Sequence, residues 1–186
     1  MSESFIDELY KFLYLHCKKI KVVRFYGTKG SFAVGADLKR LQRFTATDAK
    51  YFSIKGNQLF TFIQKSNFIS IAEIDGYCMG GGVDFAASCD FRFATTNSYF
   101  AHPGVNLGFI TGFGGTVRVS RVSNVQFTKE FFYTGNTYNA FDLKRANFLY
   151  EVFDDSSIMH NKVTDFISNF DNISSDTIGN IKLQFL

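Results

Sequence analysis

Apolar residues recur at helical spacing at the start of the chain and then gather into short runs separated by glycines. Phe5, Leu9 and Leu13 fall on one face of residues 2–20, and this pattern predicts an amphipathic helix. The run at 22–26 is rich in valine and aromatic residues and is closed by glycine, as is typical of a β-strand.

The middle of the chain alternates strands, glycine-rich turns and helices. The three glycines at 80–82 follow one predicted strand, open a short apolar helix, and are followed within a few residues by another strand. A strand, helix and strand at this interval predict a βαβ crossover, and therefore a parallel sheet with covering helices. We predict helices at 48–65 and 83–89 and strands at 68–74 and 91–94, with a loop over 30–39. Beyond the glycine-rich segment 104–116 we predict helix to the end, apart from an extended piece near 149–153.

Composition and charge favour a single globular α/β domain. The chain has 186 residues, of which 46% are hydrophobic and 20% charged, and no repeat or low-complexity linker divides it. We divide it into a core at 1–155 and a helical C-terminal stub at 156–186 within the same domain. The net charge of +3 would suit a phosphate-bearing ligand, although a solvated basic surface is its commoner explanation.

Several partner classes are disfavoured by the sequence. No dense stripe of lysine and arginine with stacking aromatics indicates nucleic acid, and no apolar run is long enough to span a membrane. The polar start of the chain does not resemble a signal peptide. The three cysteines have no metal-binding spacing and fit a reducing compartment, so we expect a cytoplasmic protein without a metal ion.

The loop at 30–39 and the glycines at 80–82 are two glycine-rich turns. Each follows a predicted strand and leads into a helix. The first N–H groups of a helix have no internal partner and lie at the positive end of its dipole. Glycine lets a ligand approach such a backbone without a Cβ in the way. Two N–H groups that converge on one oxygen form an oxyanion hole, and losing one donor typically costs about 3 kcal/mol of transition-state stabilisation.

Three blocks of residues resemble the crotonase (enoyl-CoA hydratase/isomerase) superfamily, in the right order and at the right separations. The first is Phe-Ala-Val-Gly-Ala-Asp-Leu-Lys at 32–39, which is similar to the family's first oxyanion loop. The second, at 72–84, contains Gly80-Gly81-Gly82 and is similar to its central signature, and the third spans 106–116. The similarity covers about residues 5–155. A dinucleotide fingerprint is the alternative for the glycines, but Tyr77-Cys78-Met79 breaks its spacing.

The resemblance implies a β-β-α spiral, usually assembled as a trimer or a hexamer. It also implies that the backbone N–H groups of Ala36 and Gly81 hold the thioester oxygen of an acyl-CoA or acyl-carrier substrate and stabilise its enolate. The substrate would border Ala36, Asp37, Leu38, Lys39 and Gly81, with coenzyme A as part of the substrate and no separate cofactor. Lys39 is expected either near the phosphates of coenzyme A or as an ordinary surface charge.

One carboxylate stands where the family has two. The first family position is Asp84, which we expect either to transfer a proton or to serve as a first-turn helix acid. The second position falls at Gly104, and the later acid of the isomerase branches falls near Gly112. Hydration needs two such groups, so isomerisation is the more plausible reaction. His102 is a possible substitute, although a structural role is commoner for a lone histidine.

The chain also differs from the family at both ends. By resemblance it lacks the opening β-hairpin and the C-terminal helices that cover the acyl pocket. We therefore expect self-association, or a partner that supplies this cover, because uncovered apolar surface favours association. The alternatives to an enzyme are a catalytically inactive protein that binds acyl thioesters, and a degraded gene fragment.

Overall fold

A computed structural model describes residues 1–28 and 30–185. Position 186, the last residue of the predicted C-terminal stub, lies outside the described residues. The helices are α1 (Glu3–His16), α2 (Leu38–Leu41), α3 (Ala46–Lys65), α4 (Gly81–Ser88), α5 (Gly115–Val122), α6 (Val125–Thr134), α7 (Ala140–Arg145), α8 (Ser156–Ile167) and α9 (Ser175–Leu183). The strands are β1 (Val22–Tyr26), β2 (Ser31–Ala33), β3 (Ile69–Ile74), β4 (Tyr77–Met79), β5 (Phe91–Thr95), β6 (Tyr99–Ala101), β7 (Tyr138–Asn139) and β8 (Glu151–Phe153). Two 3-10 turns span Pro103–Leu107 and Ser168–Phe170.

The strands form two four-stranded sheets that the chain visits in alternation. The first sheet has the order β1-β3-β5-β8 and is parallel throughout. The second has the order β2-β4-β6-β7, in which only the β6–β7 pair is antiparallel. Each of the first three turns of the chain contributes one strand to each sheet and then a helix or a helical turn. This is the β-β-α spiral expected from the resemblance.

The second sheet was missed by the sequence analysis. The segment predicted as a loop at 30–39 contains β2, and the predicted turn after β3 contains β4. Strands β2, β4 and β6 have only three residues each, and β7 has two. Alternation of polar and apolar positions cannot be recognised over such lengths. The predicted first-sheet strands and the extended piece near 149–153 are confirmed, and α1 ends at His16, earlier than predicted.

The core is built from apolar side chains between the sheets and helices α1, α3 and α4. β3 is buried at all six positions, and α4 is buried over seven residues, from Gly82 to Ser88. Helix α3 begins with a capping box in which Thr45 and Asp48 satisfy each other's backbone N–H groups. No helix among the described residues is long and apolar enough to cross a bilayer.

Buried polar contacts attach the last two helices to the rest of the domain. On α8, His160 contacts the buried Glu73 of β3, which also pairs with Arg24 of β1. On α9, the Nζ atom of Lys182 donates to Asp90 Oδ2 at 2.8 Å. Residues 156–185 therefore pack on the core, while the predicted division at residue 155 stays a prediction.

Candidate active site at two glycine-rich turns

The two predicted glycine-rich turns lie against each other. Gly35 has φ +78°, and a Cβ at this position would lie 3.2 Å from the carbonyl oxygen of Met79 and 3.4 Å from the amide nitrogen of Gly81. Positive φ values favour glycine, and the close approach leaves little room for a side chain. The loop that carries Ala36 therefore touches the N-terminus of α4.

The amides of Ala36 and Gly81 have no protein acceptor within the described part of the chain. The neighbouring amide of Gly80 is different, because it donates to Ala101 across to β6 at 2.8 Å. Gly80 is the N-cap of α4, has φ +52° and offers no side-chain cap. The first turn of α4 is thus left with open N–H donors at the positive end of its dipole.

Two side chains cover Gly81. A Cβ at Gly81 would lie 2.6 Å from Met1 Cε and 3.0 Å from Phe113 Cδ2. Phe113 is 5% exposed and packs edge-on against Phe52 and Phe60 of α3. The side chains of Met1 and Phe113 therefore fill the space where a side chain at position 81 would lie.

A cavity of about 270 Å³ opens beside Ala36. Its wall includes the first turn of α1, helix α2 and the rings of Phe44 and Phe52. Gly81 and Asp84 are not part of this wall. The lining residues are Met1, Ser2, Glu3, Ala36, Asp37, Arg40, Leu41, Phe44 and Phe52.

The residues predicted to border coenzyme A form the start of α2. Asp37 is the N-cap, and its Oδ1 atom accepts from the amide of Lys39 at 2.9 Å. Leu38 is 47% exposed, and the side chain of Lys39 is also exposed. Lys39 is thus available to a phosphate, as any surface lysine would be, and its role stays a prediction.

Asp84 is fully buried one helical turn after Gly81. Its Oδ2 atom accepts a hydrogen bond from the hydroxyl of Thr111. Its Oδ1 atom lies 3.2 Å from Nε2 of His102, but the two atoms are not aligned as a hydrogen bond. A Cβ at Gly115 would overlap the carboxylate, so α5 begins directly against it. Asp84 therefore lies in a closed pocket that the cavity beside Ala36 does not reach.

Two further groups experience the charge of Asp84. Burial lowers the pKa of Arg118, and the negative charge of Asp84 opposes this effect. Arg118 does not bond to Asp84, because it donates instead to Gln64, Asn57, Thr61 and the carbonyl oxygen of Phe113. Burial raises the pKa of the Cys78 thiol well above its usual range, and Asp84 raises it further, so this thiol is neutral.

The two positions where the resemblance places a second acid differ in available space. A Cβ at Gly104 would lie 2.8 Å from the carbonyl oxygen of Phe109, closer than such contacts normally come. At Gly112 the nearest atom, Ser53 Cβ, would lie at 3.4 Å. Among the described residues, no three histidine, cysteine or acidic side chains cluster as a metal site.

Several residues of the site were missed by the sequence analysis. Thr111 and Phe113 lie in the predicted glycine-rich segment, but no periodicity indicated that they would contact Asp84 and Gly81. Gly115 was noted only as part of a block that resembles the family. The sole signal was the density of glycines at 112–115, which is typical of a segment whose backbone approaches other groups closely.

Two alternating sheets and two abutting glycine turns with open amides define the class of crotonase-fold proteins. The family model for enoyl-CoA hydratase/isomerase matches residues 1–181, and the chain belongs to this family.

Relatives and solved structures agree with this assignment. The chain is 33% identical over 130 residues to the short-chain-enoyl-CoA hydratase of Clostridium acetobutylicum. The matched residues cover 70% of this chain and 50% of that protein. It is 36% identical over 122 residues to the crotonyl-CoA hydratase of Syntrophomonas wolfei, covering 66% of this chain and 47% of that protein. The crystal structure of an enoyl-CoA hydratase from Thermoplasma volcanium superposes with a TM-score of 0.89 at 26% identity, over 98% of this chain and 72% of that one. The chain matches about half the length of these two curated relatives.

Proposed function

We propose that this protein binds an acyl thioester of coenzyme A and moves the double bond of an enoyl group by proton transfer. The thioester oxygen would accept from the amides of Ala36 and Gly81, and Asp84 would carry the proton. The observation that supports this most is the contact between the two glycine turns, each of which leaves an amide without a protein acceptor among the described residues.

The oxyanion hole would supply the larger part of the rate enhancement. Removing a proton next to a thioester carbonyl places negative charge on the carbonyl oxygen. Fixed N–H donors stabilise this charge without reorganising, and each donor is typically worth about 3–4 kcal/mol. Both donors come from the backbone, so the hole depends on the glycine conformations rather than on a particular side chain.

Isomerisation is favoured over hydration because the site holds one carboxylate. Adding water requires one group to activate the water and another to protonate carbon, whereas a 1,3-proton transfer can reuse the same group. A second carboxylate is absent at Gly104, where the carbonyl oxygen of Phe109 leaves no space for one.

Substrate binding must open the pocket around Asp84. Phe113 lies against Gly81, and its amide donates to the hydroxyl of Thr111, which in turn donates to Asp84. A thioester that displaces the Phe113 ring would therefore also loosen the hydroxyl that holds the carboxylate. Binding and exposure of the base would be coupled through these two residues.

Self-association is part of this proposal. The segment that follows His102 exposes Val105, Leu107, Phe109 and Ile110, with 82% exposure at Ile110. Apolar patches of this kind are commonly covered by a partner. We expect a trimer or hexamer, or a partner that covers this segment, and light scattering on the purified protein measures which forms.

The test is an assay of the purified protein with a 3-enoyl-CoA and with crotonyl-CoA, beside a binding titration with an unreactive acyl-CoA. The proposal predicts binding, isomerisation and little hydration. Asp84→Asn should abolish turnover and leave the binding constant within about twofold, because it removes the proton carrier and keeps the shape. Wild-type turnover in Asp84→Asn would exclude Asp84 as the proton carrier.

The second candidate is an acyl-thioester-binding protein without turnover. The observation that favours it is the burial of Asp84, whose side chain has no exposed surface. In that case the wild type and Asp84→Asn would bind the acyl-CoA equally and neither would convert a 3-enoyl-CoA. The same titration with an acylated carrier protein distinguishes a carrier-bound substrate from a free coenzyme A ester.

A further inference from the structure

Two buried polar atoms without hydrogen-bond partners lie side by side. In residues 1–28 and 30–185, Asp84 Oδ1 and His102 Nε2 are the two buried side-chain nitrogen or oxygen atoms that bond to nothing. They are 3.2 Å apart, and the side chains are 0% and 5% exposed. Buried polar atoms are nearly always paired, so an adjacent orphan pair requires an explanation.

The distance between the two atoms is that of a hydrogen bond, and only the direction is wrong. The imidazole ring packs on Phe132 of α6 with ring centroids 4.8 Å apart. His102 directly follows β6, so the sheet fixes its backbone.

The other polar and titratable side chains around Asp84 either bond to other groups or stay neutral. Arg118 on α5 is bonded to α3 side chains and to the carbonyl oxygen of Phe113. Burial keeps Cys78 on β4 in its neutral thiol form. The hydroxyl of Thr111 has one proton to donate, which Asp84 Oδ2 already accepts, and it accepts in turn from the amide of Phe113. His102 is the remaining group that can both give a proton to the carboxylate and take one from it.

We infer that His102 is a positioning residue that shares with Asp84 the proton taken from the substrate, between the step in which the carboxylate acts as base and the step in which it acts as acid. The inference rests on the isomerisation proposed above. Once Asp84 has taken a proton from the substrate carbon, its O–H bond breaks and an N–H bond forms at His102 Nε2. The reverse transfer then restores the carboxylic acid, which delivers the same proton to the other carbon. No oxidant or further reactant is needed.

A proton held by this pair exchanges slowly with water as long as the bound substrate covers the opened pocket. The wild type should therefore carry much of the substrate proton into the product when the reaction runs in heavy water. His102→Gln keeps a polar side chain of similar size but cannot carry the proton. We expect kcat to fall about tenfold to 100-fold, KM and the binding constant for an unreactive acyl-CoA to stay within twofold, and deuterium incorporation to rise.

His16→Gln is the matched control, since His16 is exposed on α1 and distant in sequence from the site. It should leave kcat and deuterium incorporation unchanged. If His102→Gln shows the same kcat and the same deuterium incorporation as the wild type, the inference is wrong. A fall in kcat without any change in incorporation would also overturn it, because that pattern indicates a purely structural role.

A second measurement does not need turnover. The ring nitrogen chemical shifts of the three histidines report which nitrogen holds a proton. Asp84→Asn should change the ring nitrogen shifts of His102 and leave those of His16 and His160 unaltered. If His102 is insensitive to Asp84→Asn, the shared proton is refuted even in a protein that never turns over. If the wild type isomerises nothing but His102 responds, the proposed function fails while the proton-sharing pair stands.

Discussion

The backbone of Gly115 lies so close to the Asp84 carboxylate that any Cβ at position 115 would overlap Oδ1. The start of α5 therefore forms one wall of the pocket that holds Asp84, and the turn of α4 that carries Asp84 forms the opposite wall. The absence of a side chain at 115 is therefore as much a part of the site as the carboxylate.

Gly115→Ala should push Asp84 out of its pocket. We expect the free energy of unfolding to fall by about 1–3 kcal/mol through overpacking, and any isomerase activity to be lost. Gly112→Ala is the control, because its Cβ would meet Ser53 at an ordinary 3.4 Å. Urea denaturation of both variants checks the prediction, and equal stability of the two would contradict the contact at Gly115.

A carboxylate cannot simply be restored at position 104. The Cβ of Gly104→Glu would approach the carbonyl oxygen of Phe109 to 2.8 Å, and backbone atoms yield less easily than the end of a side chain. We expect a loss of about 1–3 kcal/mol in stability and no gain of crotonyl-CoA hydration. A folded Gly104→Glu variant that hydrates crotonyl-CoA would show that lack of space at position 104 does not prevent a second carboxylate there.

Lys182 attaches the last helix to the core. Its ammonium group donates to the carbonyl oxygens of Ile63 and Phe68, at 2.9 and 3.0 Å, and to Asp90 at 2.8 Å. Lys182→Met would remove the ammonium group from these three acceptors and leave Asp90 without its cation, while Ser66 and Ser70 still donate to the same oxygens. We expect the free energy of unfolding to fall by about 1–3 kcal/mol. Lys162→Met, at an exposed position on α8, should change stability little. Thermal unfolding compares the two, and a Lys182→Met protein as stable as the control would exclude this role.

The three cysteines should differ in reactivity. Burial raises the pKa of Cys89 to about 12 and that of Cys78 well above its usual range, whereas Cys17 is half-buried on the surface. Alkylation of the native protein at mildly alkaline pH should therefore modify Cys17 alone, as mass spectrometry would show. Rapid labelling of Cys78 or Cys89 in the folded protein would contradict their burial.

The same shifts predict a stability change with pH. Both buried thiols are neutral in the folded state, whereas an unfolded thiol ionises near pH 8.5. The unfolded state therefore releases protons more readily, so stability falls as the pH rises above about 8.5 and toward the folded pKa of Cys89. Cys89→Ala should reduce this loss of stability at alkaline pH, as measured by denaturant titrations. If the loss is unchanged in Cys89→Ala, other ionisable groups cause it.

Local sequence predicted the first sheet and the two turns, since both depend on nearby residues. The buried run of β3 and the glycines at 80–82 that follow it can be read directly from the sequence. The contacts that complete the site could not be predicted in the same way. Thr111 lies 27 residues along the chain from Asp84, in a segment with no periodicity, and only the folded chain brings its hydroxyl to the carboxylate.

The predicted roles of the site residues depend on where two amides point. Nuclear magnetic resonance of the labelled protein, titrated with an unreactive acyl-CoA, follows the amide protons of Ala36 and Gly81 individually. Both should move downfield together as the thioester oxygen accepts from them, while the amide of Gly80, already bonded to Ala101, should move less. Saturable binding of the acyl-CoA that leaves the Ala36 and Gly81 amide protons in place would contradict the oxyanion hole.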